Sequence, residues 1–316
     1  MSNNVKAGHK DKQSYANTRT TGKEQYYTTP EVVDICLDEV RKYIDLTDRT
    51  ILEPCGGTGE FIKGFRRIGI EDKNILSYDI EPKHSLVQEA NYLETEFDRT
   101  DLISITNPPF GRASSLAKKF FEHAAGHCEY ICYLIPKSWR KWSVHNSLNK
   151  NFRIISDIEM PKNCFYRPES DGKSKKGVLN TVFQIWKRTD NPRKKIKIPD
   201  HGLVKKMQPT KKEVEVKRGD EISIQKRPDK IKGVNFQMIV FGHSCGKCKE
   251  LDPSIEYEAK TTTMYFNIAR QDVKDAMKNI DFSTHFNNVA YVQALSLQEI
   301  NYELNNHFGS PNWIWE

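Results

Sequence analysis

The chain has 316 residues, of which 37% are hydrophobic and 29% are charged, and its formal net charge at pH 7 is +7. A chain of this length can bury the core of one large or two modest domains. No stretch approaches the roughly 18 consecutive apolar residues of a transmembrane helix, and no hydrophobic signal core lies near the N-terminus, so the sequence argues against a membrane-spanning or secreted protein and predicts a cytoplasmic location.

The first part of the chain is predicted to contain a tail followed by a helix. Residues 1–24 are polar and cannot bury enough apolar surface to fold, which predicts a disordered tail. Thr29, Pro30 and Glu31 then supply an N-cap, a proline at the first helical position and an early acidic residue. Apolar residues follow at helical spacing, so a helix is expected from about residue 30 to residue 44.

Short apolar runs then alternate with amphipathic stretches, as expected for successive βαβ units. These runs lie at residues 50–53, 74–79, 102–106, 130–135 and 152–158, and a further run at 181–186 closes the pattern. The sequence therefore predicts an α/β fold with a doubly wound, Rossmann-like sheet.

A glycine-rich turn follows the first run and indicates a ligand site. Glu53 to Phe61 lies between this run and a helical stretch, and glycines there let the backbone approach a ligand at the carboxyl end of the strand. Asp79 follows about 20 residues later, where such folds place a carboxylate for ribose hydroxyls. The chain has no phosphate-binding P-loop, which favours a nucleoside such as S-adenosylmethionine over a nucleoside triphosphate.

The tetrapeptide Asn107-Pro108-Pro109-Phe110 directly follows the run at 102–106. An exocyclic amine is a poor nucleophile, and two oxygens that accept hydrogen bonds from its N–H groups would activate it. The Asn107 side chain and the Pro108 backbone carbonyl can supply these oxygens, while Phe110 offers a flat ring for an extruded base. The same residues also fit an ordinary turn.

Together these motifs resemble those of the S-adenosylmethionine-dependent N6-adenine DNA methyltransferases, over roughly residues 25–187. The resemblance implies catalytic roles for Asn107, Pro108, Pro109 and Phe110, and a target-base contact for Phe165. It implies cofactor contacts for Tyr27, Thr28, Pro30, Glu53, Pro54, Cys55, Gly57, Gly59, Phe61, Asp79, Ile80, Asn91 and Tyr92.

The resemblance also assigns roles within this set. Glu53 would face the amino-acid end of the cofactor, Phe61 would pack beneath it, and Asn91 would read its adenine. Asn91 departs from the family, which has an acidic residue there. Cys55 stands where small residues are usual, and Phe110 replaces a tyrosine, so it can stack but offers no hydroxyl.

The cofactor motifs precede the catalytic motif, and a long unmatched segment comes last, which resembles the gamma arrangement of the family. This order implies a catalytic domain at residues 25–190, followed at 191–316 by a basic linker and a smaller α+β target-recognition domain. Residues 187–232 contain 16 Lys and Arg against 7 Asp and Glu, a net +9 that leaves −2 for the rest of the chain. This suits a polyanion partner, although a solvated linker is the alternative.

Three further features are open to more than one interpretation. Residues 161–177 contain Phe165 and otherwise fit a surface loop with one anchoring aromatic residue. Trp139 and Trp142 could flank a flipped base but are more typical of packing. Cys245 and Cys248 resemble half of a zinc site, yet the second pair is missing, so a turn between strands is favoured and no metal is predicted.

The remaining elements and cysteines complete the sequence prediction. Beyond residue 200, strands are expected at 222–224, 236–241 and 264–268, and helices at 271–279 and 296–305. The seven cysteines lie mostly in apolar runs, which predicts reduced buried thiols.

We expect an enzyme that methylates adenine N6 of a flipped-out base in DNA. The alternatives are methylation of adenine N6 or guanine N2 in RNA, methylation of glutamine in a protein, and a catalytically silent nucleic-acid-binding subunit.

Overall fold

The computed structural model describes residues 26–111, 114–162, 164–168, 174–177, 179–218, 221–290 and 292–312, of which 167–168, 174–177, 218 and 221 are described by their backbone alone. The predicted N-terminal tail lies outside the described residues. The described chain divides into two compact units, with the boundary between Lys194 and Lys195.

The first unit contains ten strands and four helices among its described residues. They are β1 (Tyr27–Thr28), α1 (Pro30–Tyr43), β2 (Ile51–Glu53), α2 (Glu60–Arg67), β3 (Ile75–Asp79), β4 (Gln88–Glu89), β5 (Leu102–Thr106), α3 (Ser115–Ala124), β6 (Cys128–Pro136), α4 (Trp142–His145), β7 (Phe152–Glu159), β8 (Phe165–Pro168), β9 (Ser174–Gly177) and β10 (Thr181–Arg188). Short 3-10 turns lie at Asp72–Asn74, Tyr92–Glu94 and Lys137–Arg140.

Seven strands form the central sheet in the order β4-β3-β2-β5-β6-β10-β7. The first five run parallel, and β10 inserts antiparallel between β6 and β7. The chain moves outward from β2 to β4 and then returns to the other side of β2, so the order reverses between β2 and β5. Such a switch point opens a crevice at the carboxyl ends of the strands, where ligands bind. The predicted doubly wound α/β fold is confirmed.

Burial explains why the sequence forms this sheet. Every residue of β5 is buried, as are most residues of β6 and β10, because the central strands of a parallel sheet are covered on both faces. Helix α1 begins with Pro30 at its first position and buries Val33, Leu37 and Val40 among others.

A separate three-stranded sheet, β1-β8-β9, connects the start of the described chain to the segment before β10. Its register places Tyr27 opposite Tyr166 and Thr28 opposite Phe165. The Thr29 N–H also donates to the Cys164 carbonyl at 3.1 Å. This pairing holds the chain just before α1 against β8.

The second unit is α+β, as predicted. Its elements are β11 (Lys205–Met207), β12 (Lys211–Arg218), β13 (Glu221–Pro228), β14 (Lys230–Ile231), β15 (Phe236–Ile239), β16 (Cys248–Glu250), β17 (Tyr257–Glu258), β18 (Thr263–Asn267), α5 (Gln271–Asn279), α6 (Ser283–Phe286) and α7 (Leu297–His307). A four-stranded sheet, β11-β18-β15-β16, supports a core that includes Phe236, Phe266, Val273, Ile300 and Leu304.

The structure differs from the sequence prediction between residues 205 and 231, where the segment predicted to be mainly a basic linker forms four strands. Strands β12 and β13 pair with each other as an antiparallel ribbon. The described side chains of both strands are mostly exposed, although Val214 and Val216, like Ile222 and Ile224, alternate with polar residues at the period of a strand.

None of the seven cysteines forms a disulfide, and five of them are buried, as predicted. Within the described ranges, no helix is both long and apolar enough to cross a membrane.

Candidate active site

A cavity of about 380 Å³ lies at the carboxyl ends of the strands, at the switch point of the central sheet. It collects most of the residues that the sequence predicted. Those in its lining are Tyr27, Thr28, Pro54, Cys55, Gly57, Phe61, Asp79, Ile80, Asn91, Tyr92, Asn107, Pro108, Pro109 and Phe110.

Four predicted site residues are not in this lining. Pro30 is exposed at the start of α1, and Glu53 is buried beneath the glycine turn. Gly59 has a φ of +76°, and a Cβ there would come within 2.5 Å of the His84 ring, so the turn itself requires glycine at this position. Phe165 is fully buried behind the cavity wall.

The glycine turn passes close to the sheet for steric reasons. A Cβ at Gly56 would lie 2.3 Å from the Ser77 hydroxyl oxygen and 2.6 Å from the Val87 side chain. Gly57 has a φ of +46°, and its N–H donates to the Asp79 carboxylate at 2.9 Å. The turn therefore lies flat against the ends of β2 and β3 and exposes its backbone to the cavity.

Asp79 is held rigidly at the end of β3. One carboxylate oxygen accepts from the Gly57 N–H and the other from the Glu81 N–H, both at 2.9 Å. Each oxygen keeps a further lone pair, so the carboxylate can still accept hydrogen bonds from two adjacent hydroxyl groups of a ligand.

Glu53 is a buried acid whose hydrogen bonding is half complete. Its Oε1 accepts from the Cys55 N–H at 3.1 Å and from the Thr106 hydroxyl. Its Oε2 is buried and has no hydrogen-bond partner among the described residues. Burial, with a smaller contribution from the nearby Asp79 charge, raises the pKa of Glu53 to about 8. The group is therefore poised to ionise when a cation or a strong donor arrives.

Tyr27 covers the glycine turn. The Lys83 ammonium donates to its hydroxyl at 2.7 Å and lies 5.1 Å from the ring centroid. A Cβ on Gly57 would come within 3.1 Å of the same ring. The ring thus limits the cavity above the turn, and a side chain at position 57 would displace it.

Asn107 has one satisfied and one unsatisfied end. Its Nδ2 donates to the backbone carbonyl of Tyr26 at 3.1 Å, while its Oδ1 is buried without a hydrogen-bond partner in the described structure. A carbonyl accepts but cannot donate, so the NH₂ group must be the end that faces Tyr26. The amide oxygen is therefore fixed as a buried acceptor at a position that lines the cavity.

The rest of the tetrapeptide is held by α3 and by a stack of rings. The Phe110 carbonyl accepts from the N–H groups of Leu116 and Ala117 at 3.2 and 3.4 Å. The Phe110 ring packs edge-on against Phe165, with centroids 6.1 Å apart, and Phe165 packs in the same way against Tyr26 at 6.0 Å. Phe165 was predicted to contact the target base, but in this arrangement it supports Phe110 from behind.

The far end of the cavity is bordered by Ile80 and Asn91. The Ile80 side chain is 58% exposed, which is unusual for isoleucine, and it offers an apolar surface for a flat ring. The Asn91 Oδ1 accepts from the Leu93 N–H at 3.2 Å, and its Nδ2 donates to Glu94 at 2.7 Å. The Asn91 amide is thus engaged within its own turn, which does not favour the predicted reading of an adenine by this side chain.

Sequence reasoning missed several residues of the lining. They are Tyr26, Gly56, Thr58, Glu60, Glu81, Ala90, Leu93, Leu116 and Phe120. Most are immediate chain neighbours of predicted residues, so adjacency was an available signal. Leu116 and Phe120 come from the buried face of α3, and only the return of this helix over β5 brings them to the site.

The structure also shows where Trp139 and the cysteine pair Cys245 and Cys248 lie. Trp139 is fully buried against Phe121, with ring centroids 6.0 Å apart, so it packs in the core. Cys245 and Cys248 lie in and beside a turn between β15 and β16, in which the Gly246 N–H donates to the Ile239 carbonyl. No group of three or more His, Cys, Asp or Glu side chains in the described ranges is arranged to hold a metal ion.

Comparison with known proteins yields distant likenesses of fold. No family model and no curated protein matches the chain. A structure from Pyrococcus horikoshii assigned as an RNA methyltransferase is 16% identical, with 52% of this chain and 87% of that one covered and a TM-score of 0.43. The modification subunit of a protein from Vibrio vulnificus assigned as a type I restriction enzyme is 15% identical, with 61% and 51% covered and a TM-score of 0.38.

The M protein of the type I restriction enzyme EcoKI is 12% identical, with 55% of this chain and 46% of that one covered and a TM-score of 0.39. Likeness at this level assigns neither a substrate nor an activity to this chain.

Proposed function

We propose that the protein transfers a methyl group from S-adenosylmethionine to the N6 amine of an adenine in duplex DNA. The observation that carries this proposal is the buried Oδ1 of Asn107, an acceptor fixed in orientation and left without a partner. A buried acceptor without a hydrogen bond destabilises the folded protein, and a ligand N–H group that donates to it removes this penalty. The N–H of an exocyclic amine supplies that donor.

The cavity residues fit S-adenosylmethionine as the cofactor. Asp79 would accept from the ribose hydroxyls, and the exposed face of Ile80 would lie against the adenine ring. Glu53 lies outside the cavity lining, beneath the glycine turn, and its unpartnered Oε2 would favour the cationic amino-acid end of the cofactor on the cavity side of that turn. When bound, the cofactor supplies an electrophilic methyl group on a sulfonium ion.

The tetrapeptide would activate the amine by accepting its protons. As the new C–N bond forms, the amine becomes positively charged, so the Asn107 Oδ1 and the Pro108 carbonyl stabilise the transition state more than the ground state. Phe110 would stack on the extruded base, and its ring is held in place by Phe165. Because both acceptors are fixed before the base arrives, little reorganisation is needed during reaction.

Two features of the sequence bear on the substrate: the first favours a nucleic acid over a protein, and the second favours DNA over RNA. The basic segment at residues 187–232, with its net charge of +9, suits a polyanion better than a protein. The order of the motifs, with the cofactor motifs first and the unmatched region last, resembles the gamma-type DNA methyltransferases.

The test is a methyl-transfer assay with tritiated S-adenosylmethionine and three separate substrates: unmethylated duplex DNA, single-stranded DNA and total RNA. Digestion should yield labelled N6-methyladenine from duplex DNA. Label found in RNA alone would support the methyl-transfer reaction but would contradict the proposal that DNA is the substrate. Cofactor binding without transfer to any substrate would instead indicate a silent binding subunit.

A further inference from the structure

The ribbon formed by β12 and β13 is unusual because it is a long sheet of two strands. The pairing runs without a break from Lys211 opposite Pro228 to Arg218 opposite Glu221, and neither strand pairs with another described strand. At about 3.3 Å per residue, each strand is roughly 26 Å long. An isolated two-stranded ribbon is only marginally stable in water, so a partner that covers it would be expected to stabilise it.

One face of the ribbon displays apolar side chains to solvent. Ile222 and Ile224 are 64% and 66% exposed. Alternate residues of a strand share a face, and directly opposed residues share it too, so Lys217 and Lys226 lie on the same face as these isoleucines. Exposed aliphatic residues among lysines indicate a surface that is covered when the protein functions.

This face also carries acceptors, because Glu213 and Glu215 point to the same side by the same register. In the major groove, lysine pairs with guanine O6 and N7, glutamate accepts from the cytosine amine, and an apolar side chain contacts the thymine methyl group. The ribbon face combines these three chemistries, whereas a surface for phosphates alone needs cations only.

The cations of the ribbon are available for a partner. Lys211, Lys217, Lys226 and Arg227 are exposed, and none forms an ion pair with a described residue. Lys212 differs, since it pairs with Asp229 at 2.7 Å. The free cations can contact phosphates on either side of a groove.

We propose that the two strands of the ribbon, residues 211–218 and 221–228, enter the major groove of the DNA substrate and read base edges with the face that carries Ile222 and Ile224. A B-form major groove is about 12 Å wide and admits a two-stranded ribbon, whereas the major groove of an RNA duplex is too narrow for side chains to read. This inference rests on the proposed function and makes it more specific, because it identifies the element that selects duplex DNA.

The test measures DNA binding and methyl transfer by the full-length protein with two ribbon variants. In the first, Ile222→Ser is combined with Ile224→Ser, and Ile255→Ser, at another exposed isoleucine of the same unit, is the matched control. In the second, residues 214–225 are replaced by Asn-Gly, which leaves Glu213 opposite Lys226 to close a short hairpin. Fluorescence anisotropy with mixed-sequence unmethylated duplexes gives the affinity, and S-adenosylmethionine titration reports whether the catalytic unit is intact.

Both variants should weaken duplex binding and reduce DNA methylation at least tenfold, while the cofactor affinity and the control variant stay unchanged. A duplex containing glucosylated 5-hydroxymethylcytosine, which fills the major groove, should not bind. Distamycin, which occupies the minor groove, should not displace the protein.

A charge variant adds a second readout. Lys211→Ala combined with Arg227→Ala, at exposed cations away from Ile222, should reduce the slope of log affinity against log salt by about 1.8, since each phosphate contact contributes about 0.9. An unchanged slope would contradict the placement of the ribbon on the duplex. The matched pair Lys249→Ala and Lys260→Ala, which are exposed outside the ribbon, should leave the slope unchanged.

The outcomes separate this inference from the proposed function. If wild-type protein methylates DNA and the ribbon variants do so equally well, the ribbon assignment is wrong while the function stands. If wild-type protein methylates only RNA, or no substrate at all, the proposed function is wrong whatever the ribbon variants do. Ribbon variants that then lose RNA binding would also overturn the assignment to DNA.

Discussion

At the scale of single residues, the chemistry of the site depends on the direction in which one amide points. Asn107 could face the cavity with either end, and the Tyr26 carbonyl selects the oxygen. This selection could not be derived from the tetrapeptide, because the partner is 81 residues away in the chain. The sequence predicted which residue carries the acceptor, and the structure adds how it is aimed.

Asn107→Ala should lower kcat about 10²-fold or more, because it removes an acceptor aimed at the charge that develops on the amine. The affinity for S-adenosylmethionine should change little, since the cofactor contacts lie on other residues. Single-turnover kinetics and calorimetric titration measure the two effects. Asn149→Ala provides the control, because this half-buried asparagine lies outside the cavity lining and donates to Glu122. Near-normal turnover of the Asn107 variant would reject the assignment.

Glu53 predicts a pH dependence for cofactor binding. Its pKa of about 8 in the free protein means that the side chain is largely neutral at pH 7, whereas a cationic ligand favours the carboxylate. Affinity for S-adenosylmethionine should therefore increase as the pH rises toward 8, with release of a proton on binding below that pH. Titration in buffers of different ionisation enthalpy detects this proton.

The variant Glu53→Gln provides the comparison, because it is permanently neutral and the amino group of the ligand titrates equally in both proteins. This variant should bind S-adenosylmethionine more weakly than wild type at pH 8. Its affinity should also lack the part of the pH dependence that is due to ionisation of Glu53. Because the folded-state pKa is raised, folding favours the neutral acid and stability is lost as the pH rises through about 8. The Gln variant should thus melt above wild type at pH 9, and an unchanged profile would exclude Glu53.

At the scale of elements, the pairing of β1 with β8 builds the wall behind the segment Asn107–Phe110. It brings Phe165 opposite Thr28 and places its ring between Tyr26 and Phe110. This contact depends on strands that are far apart in the chain, so composition gave no signal that Phe165 would be buried. The sequence predicted an aromatic residue near the site, and the structure adds that its ring is buried against Phe110; its contact with a target base stays a prediction.

Phe165→Leu should reduce kcat more than it changes cofactor affinity, because the Phe110 ring loses its edge-on support. The variant should also lose stability by about 1 kcal/mol, as is usual for a swap of this kind in a packed core. Thermal melts and steady-state kinetics measure both effects. Equal losses in kcat and in cofactor affinity would indicate general damage and not loss of support for Phe110.

The central sheet could be predicted almost strand by strand, because β6 is apolar along nearly its whole length and β5 has apolar residues at three of its five positions. The ribbon β12–β13 was predicted only as a short strand near residue 222 within a linker. Val214 and Val216 alternate with glutamates, and Ile222 and Ile224 alternate with polar residues, so the period of two that marks a strand was present. The many charges around these residues favoured the linker interpretation instead.

At the scale of the whole molecule, the two compact units have separate cores. The cofactor cavity is lined entirely by residues of the first unit. A ligand that binds one folded unit stabilises that unit by mass action, by about 2.7 kcal/mol at a concentration 100 times its Kd.

Scanning calorimetry should therefore resolve two transitions, and S-adenosylmethionine should raise the temperature of one. Phe266→Ala, in the core of the second unit, should destabilise that unit by about 3–5 kcal/mol and so lower the temperature of the other transition. The affinity for the cofactor should be retained. Asp79→Ala should abolish the cofactor-dependent shift. A single transition that moves as a whole with the cofactor would contradict this division.

The hydrogen bond that orients Asn107 is accepted by the main chain of Tyr26 and not by its side chain. Every amino acid offers the same carbonyl, so no point mutation at position 26 can delete this acceptor. The orientation of the Asn107 amide is therefore insensitive to the amino acid at position 26. Substitutions at position 26 can change the shape of the cavity wall and still leave the Asn107 amide oxygen in the same position.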